Sequence, residues 1–225
     1  MAHVTIDASS GRMMPAAAPI AAEPYPPAPW ELFGQAQAHL LMLPAARVER
    51  VPDGFSPRLL GGHALVLAGF IDYQGGSIVR YGELFAALVG SIEGTRRITA
   101  TVTHMWVDSE VSRCGGRELW GYPKEIARFT LAIDPGGSAA AADAHGQIAS
   151  ALMRPLLASP VRISMNGGTV QALHSALRPV HARMRGRPVF GAGSFVADPD
   201  GPLGFLAGAR HILAAGLRDF HFTFG

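Results

Sequence analysis

Hydrophobic positions along this chain recur in short blocks, most of them with a period of two, separated by turn-forming residues. Over residues 96–107 the alternation is clear. Ile98, Ala100, Val102 and Trp106 fall on one face, and Arg97, Thr99, Thr101 and Thr103 on the other. This pattern predicts a strand. Residues 64–71 are apolar throughout, as expected of a strand buried on both faces. Residues 38–43 and 77–89 predict two more, the second with Glu83 in its middle. Further strands are expected at 129–133 and 138–153, joined through Asp134-Pro-Gly-Gly137, and at 161–164 and 169–173, joined through Asn166-Gly-Gly168. Residues 189–196 and 203–206 complete the set. Helical signals are few. Residues 45–51 read as a short helix broken at Pro52-Asp-Gly54. Asp108-Ser109 would cap another that Gly115-Gly116 would stop, and residues 211–220 would form a closing helix.

Composition narrows the class. The 225 residues include 27 glycines and 17 prolines, too much punctuation for a helical bundle or a coiled coil. With 48% hydrophobic and 16% charged residues, the chain is not a disordered one. A net charge of +2 without long basic runs gives no footprint for nucleic acid. No apolar stretch is long enough to span a membrane, so no membrane partner is expected. One cysteine, Cys114, excludes an internal disulfide and a cysteine-based zinc site, and a cytoplasmic location is the default. The nine histidines show no metal-binding spacing, so neither a metal nor another cofactor is expected. His104 and His211 read as structural, and Cys114 as a core residue. Residues 1–29 are Ala/Pro-rich and read as a leader, partly disordered, whose end lies extended on the fold. The rest, residues 30–225, reads as one β-dominated domain, a barrel or a strongly curved sheet.

One residue stands apart. The chain has 18 arginines and a single lysine, Lys124. Arginine stays charged at any usable pH, whereas a buried lysine can lose its proton and attack a carbonyl. Pro123 fixes the turn that Lys124 leaves, and Trp120 and Tyr122 supply bulky apolar walls. Two readings fit these residues. One is a desolvated, imine-forming lysine; the other is a surface β-turn whose lysine reaches into water. Glu83 is equally open. Facing Lys124 it would be a proton carrier and charge partner; on a solvent face, or paired with Arg80, it would be neither.

Gly116-Arg-Glu-Leu-Trp-Gly-Tyr-Pro-Lys124 closely resembles the active-site segment of the acetoacetate decarboxylase family. Tyr81-x-Glu83, Arg154-Pro155 and His211-Ile-Leu-Ala214 are similar to further family motifs and fall in the family's order. The resemblance implies a mainly β (α+β), single-domain, closed cone-like β-barrel with flanking short helices, assembled as a homo-oligomer. It implies a small-molecule keto acid or another carbonyl compound as substrate. The chain would be a carbon–carbon lyase in which Lys124 forms a Schiff base with a β-keto acid, such as acetoacetate or a bulkier analogue, and so decarboxylates it; Glu83 would be the second catalytic residue, and Tyr122, Trp120 and Tyr81 would bind substrate. Three departures stand out. Glu125 follows the lysine where the best-known members carry a second lysine. The first strand, Gly34-Gln-Ala-Gln-Ala-His39, lacks the arginine that holds a substrate carboxylate, and Leu67-Ala-Gly69 lacks a family glutamate. The resemblance thus implies imine chemistry without the acetoacetate clamp, on a bulkier and less anionic substrate. An imine-dependent aldolase or dehydratase and a non-catalytic ligand-binding barrel are the alternatives.

Overall fold

The structure is a computed structural model that describes residues 24–134 and 136–225. Of the expected leader, residues 1–23 lie outside the described residues. Residues 24–29 run without regular structure, and the side-chain hydroxyl of Tyr25 donates to Glu118 at 2.7 Å.

Among the described residues, thirteen strands form a single sheet. In chain order they are β1 (Trp30–Pro44), β2 (Phe55–Pro57), β3 (Leu59–Leu60), β4 (His63–Tyr73), β5 (Tyr81–Ile92) and β6 (Thr99–Val107), then the helix α1 (Glu110–Trp120). After the helix come β7 (Lys124–Ile126), β8 (Arg128–Ile133), β9 (Gly137–Ala142), β10 (Gln147–Ala158), β11 (Ile163–Leu173), β12 (Ala176–Ala197) and β13 (Arg210–Phe224). The main path is β7-β6-β5-β4-β1-β13-β12-β10-β9-β8. Every pairing on it is antiparallel except β6 with β7, which α1 connects as a crossover.

The expected closed barrel is corrected here. The path's end strands, β7 and β8, are not hydrogen-bonded to each other. They are consecutive in the chain, with only Ala127 between them. The polypeptide itself brings the two ends together, and the sheet curls. A Cβ on Gly82 of β5 would lie 3.0 Å from Phe129 and Leu131 of β8. The chain's two described ends also meet, because Trp30 pairs with Phe224.

Period two explains how one sheet carries two cores. On β4 and β5, Val66, Ala68, Phe70, Leu84, Ala86 and Leu88 face the interior of the curl, where residues such as Ile133, Ala141 and Ile148 from the other end of the path meet them. Ile71, Tyr73, Tyr81 and Ala87 face the opposite way, onto Trp30, Trp120, Phe220 and Phe222. Strands covered on both faces read as continuous apolar runs, which is why residues 64–71 show no alternation.

Several expected elements differ. Residues 45–51 form only a 3₁₀ turn, Ala45–Arg47, and Leu203–Leu206 holds the 3₁₀ turn Gly204–Leu206 rather than a strand. The run 138–153 is split by a turn, in which the Asp143 carboxylate accepts from the backbone of His145 and Gly146. Asn166-Gly-Gly168 lies inside the unbroken β11; the hairpin turns instead at His174-Ser175, whose φ values of 51° and 62° are left-handed. Residues 211–220 are strand, not helix. Pairing with β1 on one side and β12 on the other outweighs their helical propensity. Gly115-Gly116 does not stop α1. The helix runs to Trp120 and ends on Gly121 at φ 74°, with the Tyr122 amide donating to the Gly116 carbonyl. Cys114 is only half-buried on this helix rather than a core residue. Among the described residues no helix is long and apolar enough to cross a membrane.

Candidate active site

β6 lies between β5 and β7, and the register across it assembles the site. Glu83 is opposite Val107, and Lys124 is opposite Met105. Met105 and Val107 point to one face, so Glu83 and Lys124 do too. The turn before Lys124 is fixed by Pro123, and the Lys124 amide donates to the Tyr122 carbonyl at 2.8 Å.

Lys124 is buried, at 3% exposure, and so is Glu83 at 4%. The reading of Lys124 as a surface lysine is thereby excluded. Its Nζ donates to Glu83 Oε2 at 3.1 Å, to Ser112 Oγ at 2.9 Å and to the Tyr81 hydroxyl at 3.4 Å. It also lies 4.8 Å from the centroid of the Tyr81 ring. Tyr73 donates to Glu83 Oε1 at 3.4 Å. Arg80 is exposed and is not among the partners of Glu83.

Burial pushes the Lys124 amine below its ordinary 10.5; the charge and hydrogen bond of Glu83 act in the opposite sense and do not cancel it. Glu125 does not enter this balance. It points outward and pairs with Arg117 at 2.8 Å, on an exposed surface. Burial, and next the charge of Glu83, raise the Tyr73 and Tyr81 hydroxyls well above 10, and burial raises Tyr122. All three remain neutral hydrogen-bonding groups.

Helix α1 forms the floor. Its buried residues Ser112, Gly115, Gly116 and Trp120 follow the helical repeat. Ser112 and Gly116, one turn apart, lie against the lysine. A Cβ on Gly116 would stand 2.6 Å from Lys124 Cδ, so only glycine lets the side chain pass. Gly115 is needed for a different neighbour: a Cβ there would meet the Trp30 ring at 2.6 Å. Trp30 packs edge-on against Trp120, with centroids 5.0 Å apart.

Above this cluster opens a cavity of about 520 Å³. Trp120, Tyr122, Tyr81, Glu83 and Lys124 all line it, so the five expected site residues converge. The sequence reading missed Ser112, Tyr73 and Trp30, and the far wall from β11, β12 and β13. Ser112 has no nucleophile frame around it in the sequence; its signal was the small-residue spacing along one helix face. Among the described residues no cluster of three or more His, Cys, Asp or Glu converges on one point.

A curled, mainly antiparallel sheet with a buried lysine–glutamate pair under an apolar cavity has the fold of acetoacetate decarboxylase-like enzymes. The enduracididine biosynthesis enzyme MppR, in complex with pyruvate, superposes with a TM-score of 0.64 at 18% identity, over 91% of this chain and 91% of that one. An acetoacetate decarboxylase-like enzyme from Sphingomonas wittichii RW1 gives 0.62 at 18% identity, over 88% of this chain and 91% of that one. Acetoacetate decarboxylase from Legionella pneumophila gives 0.62 at 17%, over 93% and 89%. No curated protein matches the chain. The model of the acetoacetate decarboxylase family matches residues 14–164, and the chain belongs to that family.

Proposed function

We propose that the chain is an imine-forming carbon–carbon lyase that decarboxylates a β-keto acid through Lys124. The observation that carries this reading is the buried Lys124 Nζ, lowered in pKa and 3.1 Å from Glu83, at the foot of an apolar cavity. A neutral Nζ attacks the keto carbon, and the carbonyl oxygen takes up a proton. Glu83, beside Nζ, carries protons between amine and oxygen, and water leaves to give a protonated imine. The C–C bond to the carboxylate then breaks. Its electron pair flows into the imine, CO₂ departs, and an enamine remains. The enamine takes a proton on carbon, and water hydrolyses the new imine to release the ketone and free Lys124. Ser112 and Tyr81 hold Nζ in place throughout.

A second reading, aldol-type condensation or dehydration through the same imine, is favoured by one observation: among the described residues, Lys124 is the only cation on the cavity wall. MppR has been captured with the condensation product of pyruvate and imidazole 4-carboxaldehyde. Incubation with acetoacetate, borohydride reduction and peptide mapping test both readings. Decarboxylation leaves an isopropyl group on Lys124 and releases CO₂. An adduct that keeps the carboxylate, without CO₂ release, supports the second reading. No adduct with any carbonyl compound overturns both.

A further inference from the structure

We infer that the natural substrate bears a large, uncharged, apolar substituent on its carbonyl group. This rests on the imine reading and adds the substrate class. The argument begins with charge. The chain has 18 arginines, yet among the described residues none lies on the cavity wall. The two ionisable groups that the described residues place there with opposite charge, Lys124 and Glu83, engage each other. A carboxylate or ammonium at the far end of a substrate would be buried without a partner and so disfavoured.

The hydroxyl groups described on the wall are each engaged in a hydrogen bond. Tyr73 is turned to Glu83, Tyr81 to Lys124, and Tyr122 exchanges a hydrogen bond with Thr169 at 3.0 Å. Gln37 borders the cavity with an amide that has no hydrogen-bond partner, but period two turns its side chain away from the face to which Ala36 and Ala38 contribute. The residue is 0% exposed and pairs in register with Phe70, on the side of the interior core. The stretch 34–39, where the resemblance places a carboxylate-binding arginine, contributes the small side chains Ala36 and Ala38 to the wall.

Size points the same way. At about 520 Å³ the cavity is in the range that holds drug-sized ligands, far more than a four-carbon keto acid fills. Its wall also holds Met165, Met184, Phe190, Leu217, Phe222 and Phe224, and methionine adapts to irregular apolar shapes. Ile163, Met165 and Phe190, although 37%, 39% and 44% exposed, remain apolar. A polar tail leading to solvent would meet polar side chains at that point. An alkyl or aryl substituent covers these three residues and removes their surface from water.

The test is a borohydride-trapping series on the full chain with straight-chain aldehydes from propanal to decanal. A parallel series uses half-aldehydes of dicarboxylic acids of matched length. The adduct on Lys124 is quantified against that on the α-amino group. Trapping is expected to gain about fourfold per buried methylene, from ~0.8 kcal/mol each, until the cavity is full. The carboxylated series is expected to fall at least tenfold below it. A flat series, or equal trapping of the carboxylated aldehydes, overturns the inference while leaving the imine reading intact. Fluorescence of Trp30 and Trp120, which line the cavity, follows binding of straight-chain alcohols in the same protein. Chain-length-dependent binding without any Lys124 adduct sinks the imine reading and supports the substrate class. Binding that ignores chain length overturns the substrate class even if no adduct forms.

Discussion

Gly116→Ala separates the position of the lysine from the stability of the fold. The added Cβ would stand 2.6 Å from Lys124 Cδ, 2.7 Å from Cε and 3.3 Å from Nζ. Carbon atoms in good contact are about 3.5 Å apart, so the lysine chain must move by about 1 Å. Alanine gains about 1 kcal/mol of helix propensity, and overpacking costs about 1–3 kcal/mol. The net change is therefore small, and Tm is expected to move by less than about 8 °C. Reactivity is affected far more. Nζ leaves its contacts with Ser112 and Glu83, and a 1 Å misplacement can cost about 100-fold in rate. The assay is borohydride trapping on Lys124 under single-turnover conditions, beside thermal melting. Gly115→Ala is the control. Its Cβ meets the buried Trp30 ring, which cannot swing aside, so a larger Tm loss than in Gly116→Ala is expected, with trapping on Lys124 less affected. Wild-type trapping rates and an unchanged Tm in Gly116→Ala would refute the claim that α1 holds the lysine.

Glu83→Gln removes the charge that raises the Lys124 pKa, so the midpoint of the imine-formation pH profile should move to lower pH, while the rate falls about 100-fold; a midpoint that stays put or rises counts against the pair. In the wild type, the same profile should rise with pH through a midpoint below 10.5, since burial favours the neutral amine. Ser112→Ala removes the 2.9 Å contact to Nζ and should slow trapping about tenfold, with far-ultraviolet circular dichroism unchanged. Acid stability tests the interior core. Burial lowers His39 and His104 to about 4, so both are neutral in the fold, and unfolding lets them take up protons below about 6.5. Their contribution is complete above that value and is lost as pH falls toward 4. Each costs about 2 kcal/mol by pH 5, which urea unfolding at pH 7 and pH 5 would measure. Equal unfolding free energies at the two pH values would show that the histidines are not buried as described.

The legible part of this fold was local. Alternation over residues 96–107 and the apolar run 64–71 gave β6 and β4, and the lone lysine beside Pro123 drew attention to Lys124 from chemistry alone. What lay beyond was set by partners distant in sequence. Residues 211–220 carry leucines, alanines and an arginine that suit a helix, and only β1 and β12 on either side make them strand. Gly115 and Gly116 look like a stop unless Trp30 and Lys124 are known to press against them. The meeting of Glu83 with Lys124 was implied by the family resemblance and not by spacing, because it depends on β6 lying between their strands. The wall from Met165, Met184 and Leu217 was invisible because β11, β12 and β13 were read as fragments or as helix.

The one-residue link at Ala127 has a consequence for how this polypeptide could be re-cut. No ladder joins β7 to β8, so a break there severs no strand pairing. The present ends of the folded part are neighbours, since a Cβ on Gly225 would lie 2.9 Å from Pro29. A circular permutant that joins residues 29 and 225 through a short linker and opens at Ala127 therefore keeps every ladder. It puts Lys124 close to the tail of the molecule, on a strand paired with β6 and packed against α1, its side chain still tied to Glu83 and Tyr81 of β5. Its loss of stability against the parent would measure what covalent closure contributes to a rolled sheet that hydrogen bonds leave open.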